Sequence, residues 1–293
     1  MNLKTVIGLP AYNEEKNIAK ILTQLTNKGY EIIVCNDGSD DLTGKIAEKM
    51  GVSVIHHEKN LGYGAAIRSI FQKAKEMNCD VLVTFDTDGQ HRIEDISKVI
   101  EPILNDESDI VIGSRFLNNN DKVPKYRKIG IKAITKLSNV TTELNLSDSQ
   151  SGFRSYNKKA ITELNPSDFG MGVSTELLIK ASQKKLRIVE VPITILYGEN
   201  TSTHHPVKHG ASVLVSTVKF TAIEHPLKFY GLPGAILLTI GLFFIVWTIQ
   251  EFTITRQIIT NLALIGTGST LLGSMLLITS IILFSIINVV REK

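Results

Sequence analysis

Cysteine is nearly missing from this sequence: Cys35 and Cys79 are the only two in 293 residues. That count excludes a disulfide framework and a thiolate zinc cluster, and both residues read as reduced, partly buried thiols. Excess charge of one sign is missing too. With 32 Lys and Arg against 29 Asp and Glu, the net charge is +3, a balance that argues against a nucleic-acid-binding role. Internal repeats, low-complexity tracts and a secretory h-region at the start are also absent. A 43% hydrophobic content excludes a disordered chain and leaves room for one large domain or two ordinary ones.

Charge itself disappears from two stretches near the C-terminus, residues 229–250 and 257–290. Each exceeds the roughly 20 residues needed to cross a bilayer, so two transmembrane helices are expected, at about 229–250 and 260–288. Lys219 and Lys228 precede the first and Arg291 and Lys293 follow the second. The positive-inside bias then places both termini and the preceding domain on the cytoplasmic side of a cell membrane. Gly266, Ser269, Thr270 and Gly273 supply small residues for close helix packing, a possible seam for a homo-oligomer. Residues 209–228 mix apolar positions with Lys219, Glu224 and Lys228 and read as a juxtamembrane amphipathic segment. The expected organisation is a domain at 1–208, this segment at 209–228, and a membrane domain at 229–293.

The first ~115 residues alternate two periods. Strands are expected at 4–9, 31–35, 52–56, 81–85 and 110–112, and helices at 14–28, 42–50, 65–77 and 93–104. This is the pattern of an α/β fold with a mostly parallel sheet. Asn13 reads as the cap of the first helix and Asp40 or Asp41 as that of the second. After Gly113 the pattern loosens through Asn118-Asn119-Asn120, a basic stretch at 122–132 and a polar loop to Ser151. A helix near 174–183 and an extended segment at 186–196 follow.

Parallel sheets bind ligands beyond the carboxyl ends of their strands, and the polar motifs fall there. The first strand ends in Pro10-Ala11-Tyr12-Asn13-Glu14-Glu15, the second in Asn36-Asp37-Gly38-Ser39, the fourth in Asp86-Thr87-Asp88-Gly89-Gln90. Taken singly, these are a helix cap, a turn and an acidic surface loop. Together they gather Glu14, Asp37, Asp86 and Asp88 on one sheet edge, and two carboxylates one residue apart are hard oxygen ligands suited to Mg²⁺ or Mn²⁺. Gly62-Tyr63-Gly64 suggests a dinucleotide loop but lacks the third glycine and follows the wrong strand. His56-His57 and the His205/His209 pair read as solvent-exposed or phosphate-facing, with no third ligand evident.

The order of these three motifs resembles the family 2 glycosyltransferases of the GT-A fold. Asn60-Leu61-Gly62, Gly113-Ser114-Arg115, Ser151-Gly152-Phe153-Arg154, Glu190-Val191-Pro192-Ile193 and the run from His225 to Gly234 narrow the likeness to the polyprenyl-phosphate branch, which includes dolichyl-phosphate mannose and glucose synthases. That resemblance implies a nucleoside diphosphate sugar as donor, UDP- or GDP-linked, a polyprenyl or dolichyl phosphate as acceptor, and the lipid bilayer as partner. Pro10, Ala11, Tyr12, Glu14 and Asp37 would line the nucleoside site, with Glu176 near the sugar. Asp86 and Asp88, helped by Gln90, would hold Mg²⁺ or Mn²⁺ on the diphosphate, Asp88 counting with Arg115 and Arg127 as catalytic. Arg115, Arg127 and Lys128 would grip the acceptor phosphate, where charge-assisted donors are needed. The family's basic residue from the loop before the membrane finds no clear match among Ser202, His204, His205, Lys208 and His209. Asp148 would orient the sugar, or act as a base were the acceptor a hydroxyl. Other readings are a membrane transferase acting on a glycolipid or polysaccharide hydroxyl, and a non-catalytic nucleotide-sugar-binding membrane protein. The first lacks the Gln-x-x-Arg-Trp signature of processive synthases, since Trp247 is the only tryptophan.

Overall fold

The computed structural model describes residues 3–117, 125–196, 218, 222 and 225–291, with the side chains of 125–127, 288, 290 and 291 excepted. The chain divides into two compact units, residues 1–217 and 218–293.

β-branched runs form the sheet of the first unit: β1 (Thr5–Ala11), β2 (Glu31–Asn36), β3 (Ser53–His56), β4 (Val81–Thr84), β5 (Ile110–Ser114), β6 (Arg154–Asn157) and β7 (Ile188–Pro192). Their spatial order is β3-β2-β1-β4-β6-β5-β7. All neighbours are parallel except β6, which runs antiparallel to both β4 and β5. The central strands are buried on both faces, as continuous apolar runs such as Val81-Leu82-Val83 require.

Helices α1 (Glu15–Asn27), α2 (Thr43–Lys49), α3 (Tyr63–Glu76), α4 (Ile96–Leu104), α5 (Lys125–Thr142), α6 (Lys158–Glu163) and α7 (Val173–Gln183) flank the sheet. One core layer joins Ile18, Leu22 and Leu25 of α1 with Ile96 and Val99 of α4; the opposite layer joins Ile67, Ile70 and Phe71 of α3 with Leu177 of α7. Each such fully buried aliphatic or aromatic side chain contributes about 1.5–3 kcal/mol.

The fold is the expected α/β sheet, with three local departures. Residues expected as a loose polar stretch form the 18-residue helix α5. β6 fills the gap between β4 and β5, although its first residue is a buried arginine; Arg154 is 1% exposed. Asn13 does not cap α1: its backbone is left-handed (φ 55°) and its side-chain oxygen accepts from the Asp40 amide at 2.9 Å.

In the second unit, a π-helical turn (Leu227–Gly231) leads into α8 (Leu232–Thr255), and Arg256 in the left-handed region turns the chain toward α9 (Thr260–Arg291). Residues Leu227–Thr255 and Thr260–Ile287 have mean hydropathies of 2.2 and 2.3 and are long enough to cross a membrane. The small residues expected as a seam between protomers are occupied within the chain. A Cβ on Gly273 would lie 2.5 Å from the Leu238 amide nitrogen, and one on Gly241 would lie 2.5 Å from that of Thr270. Gly266 likewise lies against the Ile245 backbone. The ridge therefore packs α9 on α8 and gives no support to a homo-oligomer.

Candidate active site

The site is assembled from loops at the carboxyl ends of β1, β2 and β4, with two further segments closing around them. The β1–α1 and β2–α2 loops are laced together: Asn13 N donates to Ser39 Oγ (3.0 Å), Glu14 N to Thr43 Oγ1 (2.7 Å), Glu15 N to Asp41 Oδ2 (3.1 Å) and Leu42 N to Glu15 Oε2 (3.1 Å). Thr87 Oγ1 donates to Pro10 O (2.9 Å), tying the acidic loop after β4 to the same rim. Pro10 and Ala11 are buried and Tyr12 is half-buried at that rim.

Asp37 is 3% exposed, and its carboxylate already has partners inside the protein. Oδ1 contacts His57 Nδ1 (2.6 Å) and accepts from Leu61 N (3.0 Å), while Oδ2 accepts from Gly62 N (2.9 Å). It thus clamps the loop before α3. Gly38 (φ 67°) permits the clamp, because a Cβ there would sit 2.3 Å from the Lys59 carbonyl carbon. His57, expected as a strand-end surface residue, is half-buried, its ring held between Asp37 and Ser69 Oγ (2.8 Å).

After β4, Asp86 is held on both oxygens, by Tyr63 Oη on Oδ1 (3.0 Å) and by His91 Nε2 on Oδ2 (3.3 Å). Burial pushes its carboxyl up, but the hydrogen bonds from His91 and Tyr63 and the charge of Arg115 outweigh it and hold the group below the usual carboxylate range. Asp88 Oδ1 accepts from Gln90 N (2.9 Å). Glu14 behaves in the opposite sense. Burial pushes it up to about 7, with Asn17 opposing by a hydrogen bond and the charges of Asp88, Asp41 and Asp86 adding to the rise.

The charges of Asp41, Asp86 and Asp88 all act against ionisation of Glu14, and a divalent cation relieves such crowding. Among the described residues no three His, Cys, Asp or Glu side chains form a closed metal cage. Asp86 and Asp88 fit a cation that takes its remaining ligands from water and phosphate, the habit of Mg²⁺.

The segment from Ser147 to Phe153 closes the rim. Glu190 on β7 accepts from the amides of Ser147 (2.7 Å) and Asp148 (2.8 Å), and Arg154 donates to the carbonyls of Ser149, Ser151 and Ser174. Thr84 Oγ1 reaches Gly152 O at 2.7 Å. Gly152 packs directly on the acidic loop, since a Cβ there would lie 2.5 Å from Tyr63 Oη and 2.7 Å from Asp86 Oδ2.

Asp148 is fully buried in a two-pronged ion pair, with Arg115 Nε on Oδ2 (2.6 Å) and Arg115 Nη2 on Oδ1 (2.7 Å). Burial would raise its carboxyl, but the Arg115 charge and hydrogen bonds dominate and hold it below the usual carboxylate range. Both oxygens of Asp148, expected as a sugar contact or base, thus accept from the Arg115 guanidinium.

Lys128 on α5 stands 5.9 Å from the Phe116 ring centroid, as does the Arg115 guanidinium, so the two cations share one aromatic neighbour. Arg127 lies on the backbone of α5, but its side chain is outside the described residues, as are Ser202, His204, His205, Lys208 and His209. Glu176 is 1% exposed in the first turn of α7, bonded to the amides of Ser167 and Asp168, the Ser167 hydroxyl and Lys180 Nζ. It shapes the loop against which Gly62 and Gly64 pack.

Tyr63, His91 and Glu190 carry the site's second layer. Their sequence signals were weak, because Tyr63 sits inside a glycine-rich run and Glu190 inside a strand.

Residues 6–164 match the model of Glycosyl transferase family 2, and the chain belongs to that family, with its GT-A fold. Its relatives include a UDP-N-acetylglucosamine–dolichyl-phosphate N-acetylglucosaminyltransferase of Methanococcus voltae, 36% identical over 71% of this chain and 89% of the relative. A dolichyl-phosphate hexose transferase of Haloferax volcanii is 31% identical over 74% and 93% of the two chains. Among solved structures, glucosyl-3-phosphoglycerate synthase of Mycobacterium tuberculosis superposes with a TM-score of 0.57 at 19% identity, covering 75% of this chain and 79% of that one. That structure holds Mn²⁺, UDP and phosphoglyceric acid, and the likeness is one of fold.

Proposed function

We propose that this chain transfers a single sugar from a nucleoside diphosphate sugar to the phosphate of a membrane-held polyprenyl or dolichyl phosphate, with inversion at the anomeric carbon. The observation that carries the reading is the Arg115–Asp148 pair: the rim holds a fixed guanidinium beside Asp86, and the carboxylate at 148 is committed to it rather than left as a base. A phosphate monoester has a second pKa near ~6 and is largely a dianion at neutral pH, so it attacks without a base. The relatives named for dolichyl-phosphate transfer support the same acceptor.

In this reading an acceptor phosphate oxygen bonds to the anomeric carbon as the bond from that carbon to the diphosphate breaks. The nucleoside diphosphate leaves, and no proton is transferred. Pro10, Ala11, Tyr12 and Glu14 line the nucleoside end, with Asp37 fixing the adjoining loop. Asp86 and Asp88, with Gln90, would hold Mg²⁺ or Mn²⁺, whose chemistry is to neutralise the departing diphosphate. Arg115, Arg127 and Lys128 attract and align the acceptor phosphate, supplying proximity and electrostatic stabilisation. Residues 229–293 would anchor the chain through two spans, with residues 1–208 and both termini on the cytoplasmic side.

The test incubates the purified full chain in detergent or vesicles with labelled UDP- and GDP-sugars, Mg²⁺ or Mn²⁺, and dolichyl or undecaprenyl phosphate. Label in an acid-labile, chloroform-soluble product supports the reading. No lipid-linked label from any donor, or label only on a hydroxyl acceptor, overturns it.

A further inference from the structure

We infer that His91 and Tyr63 are positioning residues that hold the Asp86 carboxylate from opposite oxygens in the orientation a divalent cation needs. The inference rests on the metal assignment proposed above and deepens it. Tyr63, at the start of α3, donates to Asp86 Oδ1 at 3.0 Å, while His91 Nε2 lies 3.3 Å from Oδ2. Each carboxylate oxygen has two acceptor directions, so one on each oxygen is taken and one remains.

His91 has little freedom to do anything else. Its side chain is 6% exposed and its ring packs against Phe85 (centroids 5.6 Å) and Phe153 (5.1 Å), which also pack on each other at 5.2 Å. Among the described residues, Nδ1 is buried with no hydrogen-bond partner. Facing an ionised carboxylate, which only accepts, Nε2 is the donor of this pair, while Nδ1 lies in an aromatic surround. Among the described residues the ring's one polar contact is Asp86, and that contact accounts for a buried imidazole here.

The backbone around His91 is fixed as well. The His91 backbone bridges Ile195, and Leu196 N donates to Gln90 O at 2.9 Å, so the 186–196 segment braces the acidic loop from outside. Gly152 closes the third side, its absent Cβ leaving room for Tyr63 Oη and both Asp86 oxygens. Asp86 is thus boxed by α3, by the aromatic cluster and by the Gly152 backbone. Partners of this kind, one bond removed from a metal, typically contribute 10–100-fold to metal affinity.

The experiment titrates Mn²⁺ into the full detergent-solubilised chain with UDP present, reading bound Mn²⁺ from loss of the free-ion EPR signal. Variants are His91→Phe, which keeps the aromatic packing and loses the donor, His91→Gln, which restores an N–H near the Nε2 position, and Tyr63→Phe. Phe at either position should weaken Mn²⁺ at least tenfold while thermal unfolding stays cooperative, and His91→Gln should recover most of that loss. Mn²⁺ affinity within twofold of wild type in folded Tyr63→Phe overturns the inference, as does equal weakening by His91→Gln and His91→Phe. Should His91→Phe not fold, Tyr63→Phe and His91→Gln decide it. If wild type binds Mn²⁺ no better than Asp86→Asn, the metal assignment itself fails, an outcome distinct from normal wild-type binding with indifferent His91 and Tyr63 variants.

Discussion

Replacing Asp148 by Asn separates the two jobs that a carboxylate at this position could have. In the structure Asp148 is wholly buried and accepts two charge-assisted bonds from Arg115 at 2.6 and 2.7 Å, besides the Arg115 amide at 3.2 Å. Removing one partner of a buried pair costs about 3–5 kcal/mol. Because the Arg115 side chain keeps 19% exposure and Asn retains one acceptor oxygen, the low end applies, about 3 kcal/mol. For a domain of this size that lowers Tm by roughly 6–12 °C. The loss should be visible throughout neutral pH, since a depressed carboxyl stabilises the fold above its unfolded pKa and ceases to do so only as pH falls through its lower folded value. Thermal unfolding of wild type, Asp148→Asn, Arg115→Gln and the double variant closes a cycle, with an expected coupling of about 2 kcal/mol. In the transfer assay the single variant should raise KM for the lipid phosphate more than it lowers kcat. A variant with unchanged Tm, no coupling to Arg115 and an abolished kcat would show that Asp148 is a base and refute the anchoring argument.

Gly152→Ala should lower stability by about 1–3 kcal/mol and activity by about 10²-fold, because its Cβ would force Tyr63 Oη and Asp86 apart from contacts of 2.5 and 2.7 Å; wild-type turnover in a folded variant would contradict the packing described. Glu14, raised to about 7, should make the apo protein lose stability as pH climbs from ~4.5 to 7, since the folded state holds that proton longer than the unfolded chain does. Mn²⁺ should flatten this slope and Glu14→Gln should remove it, both readable by thermal shift across pH 5–8. Gly241→Leu, with its Cβ 2.5 Å from the Thr270 amide nitrogen, should splay α8 from α9 and increase protease sensitivity of that hairpin in detergent, whereas Gly268→Leu, open to its surroundings, should not.

How far the sequence led depends on whether a residue's partner is near it in the chain. The strands before Gly113 and the motifs at their ends are runs of one period broken by turns, and they stand where the periodicity placed them. α5 was hidden because Thr135, Ser138, Asn139, Thr141 and Thr142 are poor helix formers. Their polar groups find partners that only the fold supplies, Thr135 at Ser149 and Asn139 at the Leu146 carbonyl, while Thr141 and Thr142 bond back to carbonyls one turn earlier. β6 was hidden because Arg154 reads as a surface residue until three carbonyls surround it. At the site, the acidic loop of Asp86 and Asp88 follows β4, at the strand end where the sequence placed it. The pairing of Arg115 with Asp148 spans 33 positions and is written in no local pattern.

The reversed strand β6 has a consequence for how the protein comes into being. Because it enters the sheet from the opposite end, the segment preceding it arrives at the same rim as the early loops, with Arg154 paired to Thr84 and Asn157 to Val81. A nascent polypeptide that has emerged only as far as β5 therefore owns its acidic residues but neither the arginine clasp nor the glycine wall around them. The pocket becomes whole only after about two-thirds of the polypeptide has been made, when Glu190 and the segment to Leu196 have joined the rim behind the reversed strand.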